Sequence, residues 1–315
     1  MAIIDRFYTG NIRALSKIIS FVESQHEGYR DILTRMYQSV GRSLRIGITG
    51  PPGGGKSTLV NGLIHEFLAN KQKIGVIAVD PTSPFTGGAL LGDRVRMNDF
   101  PRDDNVYFRS MATRGVSGGL AAATHNITVV YDAFGFDITL IETVGVGQVE
   151  LDIVDTCDVI IVVVVPESGD AVQTMKAGLM EIADIFCVNK ADRPGAERII
   201  SELRQTMEHR KTEEGGWKIP VVPTEAVIRK NVDKLACKID SFTDAAKTSG
   251  YFELHRRRQI RKQIISVLQN RFQRELVKRL EHEVEFDRII DEIANGHVDP
   301  YSAGDELYRK FSTGK

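Results

Sequence analysis

The sequence predicts an α/β domain built on a mostly parallel sheet, with helical additions at both ends. Three observations predict it. Short β-branched runs alternate with longer helix-like stretches from about residue 44 to residue 226, the pattern of right-handed strand–helix–strand crossovers. One of those runs, Val159 to Val165, is apolar at every position, as a strand covered by helices on both faces must be. A glycine-rich turn separates the first run from a helix-like stretch beginning near residue 59.

The elements follow in order. In a helical extension over residues 1–42, Ile12, Leu15, Ile18, Ile19 and Val22 fall on one face of an amphipathic helix, and a second short helix covers 29–40. The sheet domain spans 43–228, with strands predicted at 44–49, 73–80, 105–111, 137–143, 159–165, 184–189 and 221–222. The last zone, 229–315, is helical. There Ile264, Leu268, Phe272, Leu276, Leu280 and Val284 repeat every four residues among many charges, one apolar stripe on a long helix. Such a stripe needs cover, from the main domain or from a second copy of the chain.

Composition excludes more than it identifies. The 315 residues carry 41 basic and 42 acidic side chains, a formal net charge of −1. That balance argues against a nucleic-acid binder working by bulk positive charge. Hydrophobic residues at 42% and charged residues at 26% suit a soluble protein with a real core. The longest apolar run is far below the roughly 20 residues a bilayer span needs, and Asp5 and Arg6 interrupt the start before any signal-like stretch. Cys157, Cys187 and Cys237 are widely separated, which points to free thiols in a reducing compartment rather than a disulfide framework or zinc site. The expectation is a cytoplasmic protein with no membrane or nucleic-acid partner.

The strongest chemical signal is Gly50-Pro51-Pro52-Gly53-Gly54-Gly55-Lys56-Ser57-Thr58, which fits G-x-x-x-x-G-K-[ST] between a strand and a helix. Glycines let successive backbone N–H groups turn inward around a phosphate without Cβ clashes. Lys56 brings a charge to the β- and γ-phosphates, Ser57 offers a hydroxyl to Mg²⁺, and the helix N-terminus adds its dipole. The chain is therefore expected to be a P-loop NTPase.

Asn189-Lys190-Ala191-Asp192 follows a predicted strand about 130 residues later. N-K-x-D suits guanine for a geometric reason: a carboxylate only accepts, and guanine presents two adjacent donors, N1–H and the 2-amino group. Adenine would leave Asp192 facing a lone pair, at a cost of roughly 1–3 kcal/mol. Lys190 can lay its stem over the base, and Asn189 can tie this loop to the phosphate loop. Thr224-Glu225-Ala226 sits where a second base-contacting loop, or an ordinary strand-to-helix turn, would fall.

Metal and γ-phosphate sensing need acidic groups at strand ends. Asp80 and Glu142 close two predicted strands, Asp93 lies in the polar stretch after Asp80, and Gly145 could offer its N–H to the γ-phosphate. Most GTPases carry Asp where Glu142 stands. His65 and Trp217 have no metal-ligand spacing and are expected to pack, while Arg256-Arg257-Arg258 is expected to form a solvated helix face.

These motifs together resemble the MeaB/ArgK GTPases, the family that includes the methylmalonic aciduria type A protein. The resemblance covers essentially the whole chain: Leu15 to Ser24, Val79 to Pro84, Gly87 to Arg94, Glu142 to Gln148, Asp170 to Lys176, and Asp299-Pro300-Tyr301. It implies a SIMIBI-type P-loop fold. It also implies a GTP-hydrolysing metallochaperone that gates adenosylcobalamin loading of an acyl-CoA mutase and protects that mutase. Cobalamin would be handled through the partner, and the C-terminal arm would hold a homodimer. On the same resemblance Asp80, Asp93 and Glu142 become Mg²⁺ or water-positioning residues. Gln173 and Lys176 become candidates for entering the nucleotide site when the mutase docks.

Departures from the family pattern are Gly54 for the usual Val, Thr224-Glu225-Ala226 for a Thr-Ser-Ala type, and Val227-Ile228-Arg229-Lys230 for a glycine-rich turn. They hint at a subgroup serving an isobutyryl- or 2-hydroxyisobutyryl-CoA mutase rather than the methylmalonyl-CoA enzyme. Rival readings are a nucleotide-dependent kinase or ATPase linked to amino-acid transport, a nickel-insertion GTPase, and an interaction protein with a vestigial site. Asn189–Asp192 argues against the first, the lack of His or Cys clusters against the second, and the presence of Lys56, Ser57 and Glu142 against the third.

Overall fold

The computed structural model describes residues 3–80, 101, 103–112, 119–143, 153–166, 178–209, 216–281 and 284–312. Its strands are β1 (Leu44–Thr49), β2 (Ile74–Asp80), β3 (Val106–Ala112), β4 (Ile138–Glu142), β5 (Val159–Val164), β6 (Ile185–Val188) and β7 (Val221–Pro223). They form one seven-stranded sheet in the order β3-β2-β4-β1-β5-β6-β7, and every pairing is parallel. The mostly parallel sheet read from the sequence is therefore the observed one.

Burial on β5 shows why these residues form a central strand. Ile160, Val162 and Val164 join one apolar cluster, and Val159, Ile161 and Val163 join the other. Side chains alternate across a strand, so a run apolar at every position is stable only with both faces covered. On the first face lie α2 (Ile12–Glu23), α5 (Gly119–Phe134) and α6 (Ala196–His209), through residues such as Leu15, Ile18, Val130 and Leu203. On the second lie α4 (Lys56–Ala69) and α7 (Val232–Thr248), through Leu59, Leu63, Phe67, Leu235, Ile239 and Phe242. Short helices α1 (Ile3–Tyr8) and α3 (Tyr29–Met36) flank α2 in sequence, and α3 passes into a 3₁₀ turn at Tyr37–Ser39.

Two close approaches need glycine. A Cβ on Gly75 of β2 would lie 2.3 Å from the Tyr131 ring, and one on Gly47 of β1 would lie 2.6 Å from Ile153. The chain enters β1 over a carboxylate: Asp132 of α5 accepts from the backbone N–H groups of Gly41, Arg42 and Ser43 at 2.6, 3.2 and 3.1 Å. Trp217 packs edge-on against Phe242 and donates its indole N–H to the Asp184 carbonyl at 2.9 Å.

The chain divides into two compact units, residues 1–260 and 261–315. Helix α8 (Tyr251–Glu281) crosses that boundary in sequence, and α9 (Val284–Ala294) and α10 (Pro300–Ser312) follow. Val284 opens α9, so the stripe predicted for one long helix ends at Leu280 of α8. Ile264, Leu268, Phe272 and Leu276 are exposed on α8, Phe272 most of all at 68%.

At the N-terminal ends of β1 and β5 a buried ion cluster replaces the solvated face expected for Arg256. Asp158, only 1% exposed, pairs with Arg45 at 2.6 Å and with Arg256 at 2.8 Å. Arg256 also donates to the carbonyls of Gly41 and Ser43 at 3.0 and 2.7 Å, and its guanidinium lies 4.5 Å from the Phe252 ring centre. Gln259, one turn on, accepts from Arg45 at 2.8 Å and donates to the Cys157 carbonyl at 2.6 Å. Arg257 and Arg258 are exposed. Helical spacing could not separate one partly buried, ion-paired guanidinium from its exposed neighbours.

Burial alone would raise the Asp158 carboxyl, but the charges and hydrogen bonds of Arg45 and Arg256 outweigh it and hold the pKa at about 2. Removing one partner of such a cluster leaves uncompensated buried charge. Asp158→Asn should therefore lower stability by about 3–5 kcal/mol at neutral pH, read from urea unfolding. Because folding depresses this pKa from 3.8, the carboxylate's contribution is complete above about pH 4. It is lost as the pH falls through about 2, so the difference between wild type and variant should narrow over that window.

Candidate nucleotide site

The phosphate loop links β1 to α4 at the C-terminal edge of the sheet. Gly50, Gly53 and Gly55 take φ of 136°, 72° and 82°, a region side chains avoid. Space is lacking as well: a Cβ on Gly50 would lie 2.2 Å from the Val163 carbonyl oxygen, and one on Gly55 2.4 Å from Asn189 Nδ2. Gly54, where the family pattern has Val, has an ordinary φ. A Cβ there would lie 3.0 Å from the Pro51 carbonyl oxygen.

Lys56 is the first residue of α4 and is 5% exposed. Its ammonium donates to the carbonyls of Gly50 at 2.8 Å and Pro51 at 3.0 Å, which satisfies a buried charge. The hydroxyl of Ser57 donates to Glu142 Oε1 at 2.6 Å. Glu142 ends β4 in register with Ile48 of β1 and Ala78 of β2, so parallel pairing carries a buried carboxylate to the loop. These hard oxygen donors, a hydroxyl and a carboxylate, suit Mg²⁺ by chemistry. Thr143, the next residue, donates its backbone N–H to the Ile48 carbonyl at 3.1 Å and its hydroxyl to Thr49 Oγ1 at 3.0 Å. Those bonds lock the end of β4 onto β1.

Asn189 joins three loops. It follows β6, is 2% exposed, and donates through Nδ2 to the Gly54 carbonyl at 2.9 Å. Its Oδ1 accepts from the Ala226 N–H at 3.1 Å and from the Thr224 hydroxyl at 3.2 Å. The bond to the phosphate loop expected for Asn189 is therefore present, and the sequence reasoning missed the other two. Thr224, fully buried, spends its one hydroxyl proton on Asn189. Cys187 Sγ, 3.1 Å from Thr224 Oγ1, is then the donor to that oxygen. Burial pushes this thiol up to about 12, so it stays protonated and able to donate. A cysteine in an apolar strand gives no sequence sign of this relay.

Lys190 holds a left-handed φ of 56°, the Ala191 N–H donates to the Thr224 carbonyl at 3.0 Å, and Asp192 is exposed. Glu225 is ion-paired with Lys230. Thus Gly50, Gly53, Gly54, Gly55, Lys56, Ser57 and Glu142 share one end of the site, and Asn189 ties them to Thr224 and Ala226. Asp80 ends β2, the neighbour of β4. Asp93, Gly145, Gln173 and Lys176 lie outside the described residues. Among the described residues, no group of three or more His, Cys, Asp or Glu could hold a metal ion.

The Asn189 junction makes a measurable difference to the protein without nucleotide. Asn189→Ala would orphan the buried Ala226 N–H and the Gly54 carbonyl, and should lower stability by about 1–3 kcal/mol in thermal or chemical unfolding. Unchanged stability would show that the two loops are not coupled through this side chain.

Comparison with known proteins agrees with this geometry. A family model described as methylmalonyl-CoA mutase-associated GTPase MeaB matches residues 15–281. The GTPase ArgK of Escherichia coli is 32% identical over 294 residues, 90% of this chain and 87% of that protein. A mitochondrial methylmalonic aciduria type A homolog of Caenorhabditis elegans is 30% identical over 321 residues, 96% of this chain and 80% of that protein. A crystal structure described as a LAO/AO transport system kinase shares the fold, with a TM-score of 0.72 at 23% identity over 98% of this chain and 96% of that one. A P-loop sheet carrying a guanine-type N-K-x-D loop thus sits on a chain that belongs to the MeaB family of methylmalonyl-CoA mutase-associated GTPases and is a GTP-hydrolysing enzyme of that family.

Proposed function

We propose that GTP hydrolysis by this chain times a chaperone cycle on an adenosylcobalamin-dependent acyl-CoA mutase, cobalamin being handled through the mutase. The nucleotide part rests on one observation above all: Asn189 ties the Gly54 carbonyl of the phosphate loop to Thr224 and Ala226 of the opposite wall. A pocket braced in this way can respond to base and phosphate together. The mutase part rests on family membership.

In this reading the amides of Gly50 to Thr58 surround the phosphates and Lys56 exchanges its loop carbonyls for the β- and γ-oxygens. Ser57, Glu142 and Asp80, with Asp93, are the residues that would hold Mg²⁺, whose bound charge offsets that of the phosphates. Asp192 accepts from guanine N1–H and the 2-amino group, and Lys190 covers the base. Gly145 reports the γ-phosphate, and Gln173 and Lys176 act once the mutase docks. Val146 follows Gly145 where a water-positioning glutamine usually stands, and Gln148 is displaced by two residues. Turnover by the chain alone is accordingly slow.

The helical extension 1–42, the GTPase domain 43–228 and the arm 229–315 divide the labour, with the arm making a homodimer. The exposed stripe Ile264, Leu268, Phe272 and Leu276 supports that role, since apolar residues at this spacing are normally covered. No described helix is long and apolar enough to cross a membrane.

GTP hydrolysis measured with and without the cognate mutase tests the cycle. The mutase should raise the rate, and equal rates would overturn the chaperone reading. Lys56→Ala should abolish GTP binding, while Asp192→Asn should relax the preference for guanine. Equal competition by ATP and GTP for the native protein would refute the base assignment. Phe272→Asp should convert a dimer to a monomer in sedimentation, and a monomeric native protein would refute the arm's role.

A further inference from the structure

The loop after β7 packs through Ala226 at its base, but its tip is held by polar contacts. Val227 and Ile228 are 84% and 67% exposed, so burial of these two side chains contributes little to its shape. Instead Glu225 and Lys230 close the loop as an antiparallel bridge, each N–H donating to the other's carbonyl at 3.2 Å. Their side chains are ion-paired across the same step. Arg229 and Asn231 take left-handed φ of 56° and 61°, and Asn231 Nδ2 donates to the Pro223 carbonyl at 3.0 Å. With Lys190, three of the five described non-glycine residues of positive φ lie on the two loops after β6 and β7. Such conformations persist only where surrounding contacts enforce them.

We propose that Glu225 and Lys230 are positioning residues for guanine recognition. By closing this loop they hold Ala226 and Thr224 on Asn189. The ammonium of Lys230 is stabilised by its hydrogen bond and charge pairing with Glu225. Glu225 acts through Lys230 and Asn189 rather than by touching the base, and the inference rests on the guanine reading above.

The test uses the full-length protein and mant-GDP, with inosine diphosphate (which lacks the 2-amino group) as competitor. Glu225→Gln and Lys230→Ala should each weaken mant-GDP binding by about fivefold, the scale of one partly exposed ion pair. Each should also narrow the preference for GDP over inosine diphosphate. The loss should appear in KM for GTP rather than in kcat, with the melting temperature retained. The exchanged pair Glu225→Lys with Lys230→Glu should restore affinity to within about twofold, because it restores the ion pair. Native-like GDP affinity in the single variants would overturn the proposal, and so would an exchanged pair that stays as weak as they are. Native protein that binds ADP as tightly as GDP would instead overturn the guanine reading itself, an outcome visible before any variant is made.

Discussion

Parallel pairing is the constraint on which the rest of this protein depends. With all seven strands running the same way, every strand's carboxyl end reaches one edge of the sheet. There the loop after β1, Glu142 at the end of β4, Asn189 after β6 and Thr224 after β7 become neighbours although 175 residues separate Thr49 from Thr224 in sequence. Crevices at that edge are where open α/β sheets bind ligands. The same constraint demands covered faces, because no strand between two helical layers can present a polar side to water. The apolar completeness of β5 and the position of the site are thus two consequences of one arrangement.

The opposite edge carries a different kind of interaction. Asp158 joins Arg45 at the start of β1 to Arg256 of α8 and so fastens the first turns of that helix to the sheet unit. A buried ion cluster is a poor general source of stability, since desolvation offsets much of the attraction. Its value lies in geometry. Arg256 satisfies two backbone carbonyls as well as the carboxylate, and an apolar replacement would leave those carbonyls without their donor.

How much of this was legible depended on whether the signal was local. Gly50 to Thr58 and Asn189 to Asp192 announce themselves because phosphate cradling and guanine pairing need particular residues at fixed spacing. The β5 run announces its burial by composition alone. Arg256 was illegible for the converse reason: it stands among charged neighbours, and only tertiary contact with Asp158 distinguishes it. Cys187 and Thr224 were hidden likewise, since a relay of S–H, O–H and amide across two strands has no sequence period. Val284 shows the limit of periodicity, which counts residues and cannot see where one helix gives way to the next. The motif residues of the site were readable, and the side chains that aim them were not.

Those aiming groups change what nucleotide binding would mean physically. Lys56 is already desolvated and hydrogen-bonded to the carbonyls of Gly50 and Pro51, so a phosphate would not have to strip water from a surface ammonium. It would have to outbid two neutral carbonyls, and an anion does so because hydrogen bonds between charged groups are roughly twice as strong as neutral ones. The Gly54 carbonyl is committed to Asn189 and keeps the loop's outline during that exchange. Asn189 in turn is fixed by Thr224 and Ala226, whose own loop is closed by Glu225 and Lys230. The order of dependence runs from an exposed ion pair, through a buried amide, to the backbone around the phosphate. A near-neutral chain can therefore hold a highly charged ligand with a few groups, provided that none of them has to be organised at the moment of binding.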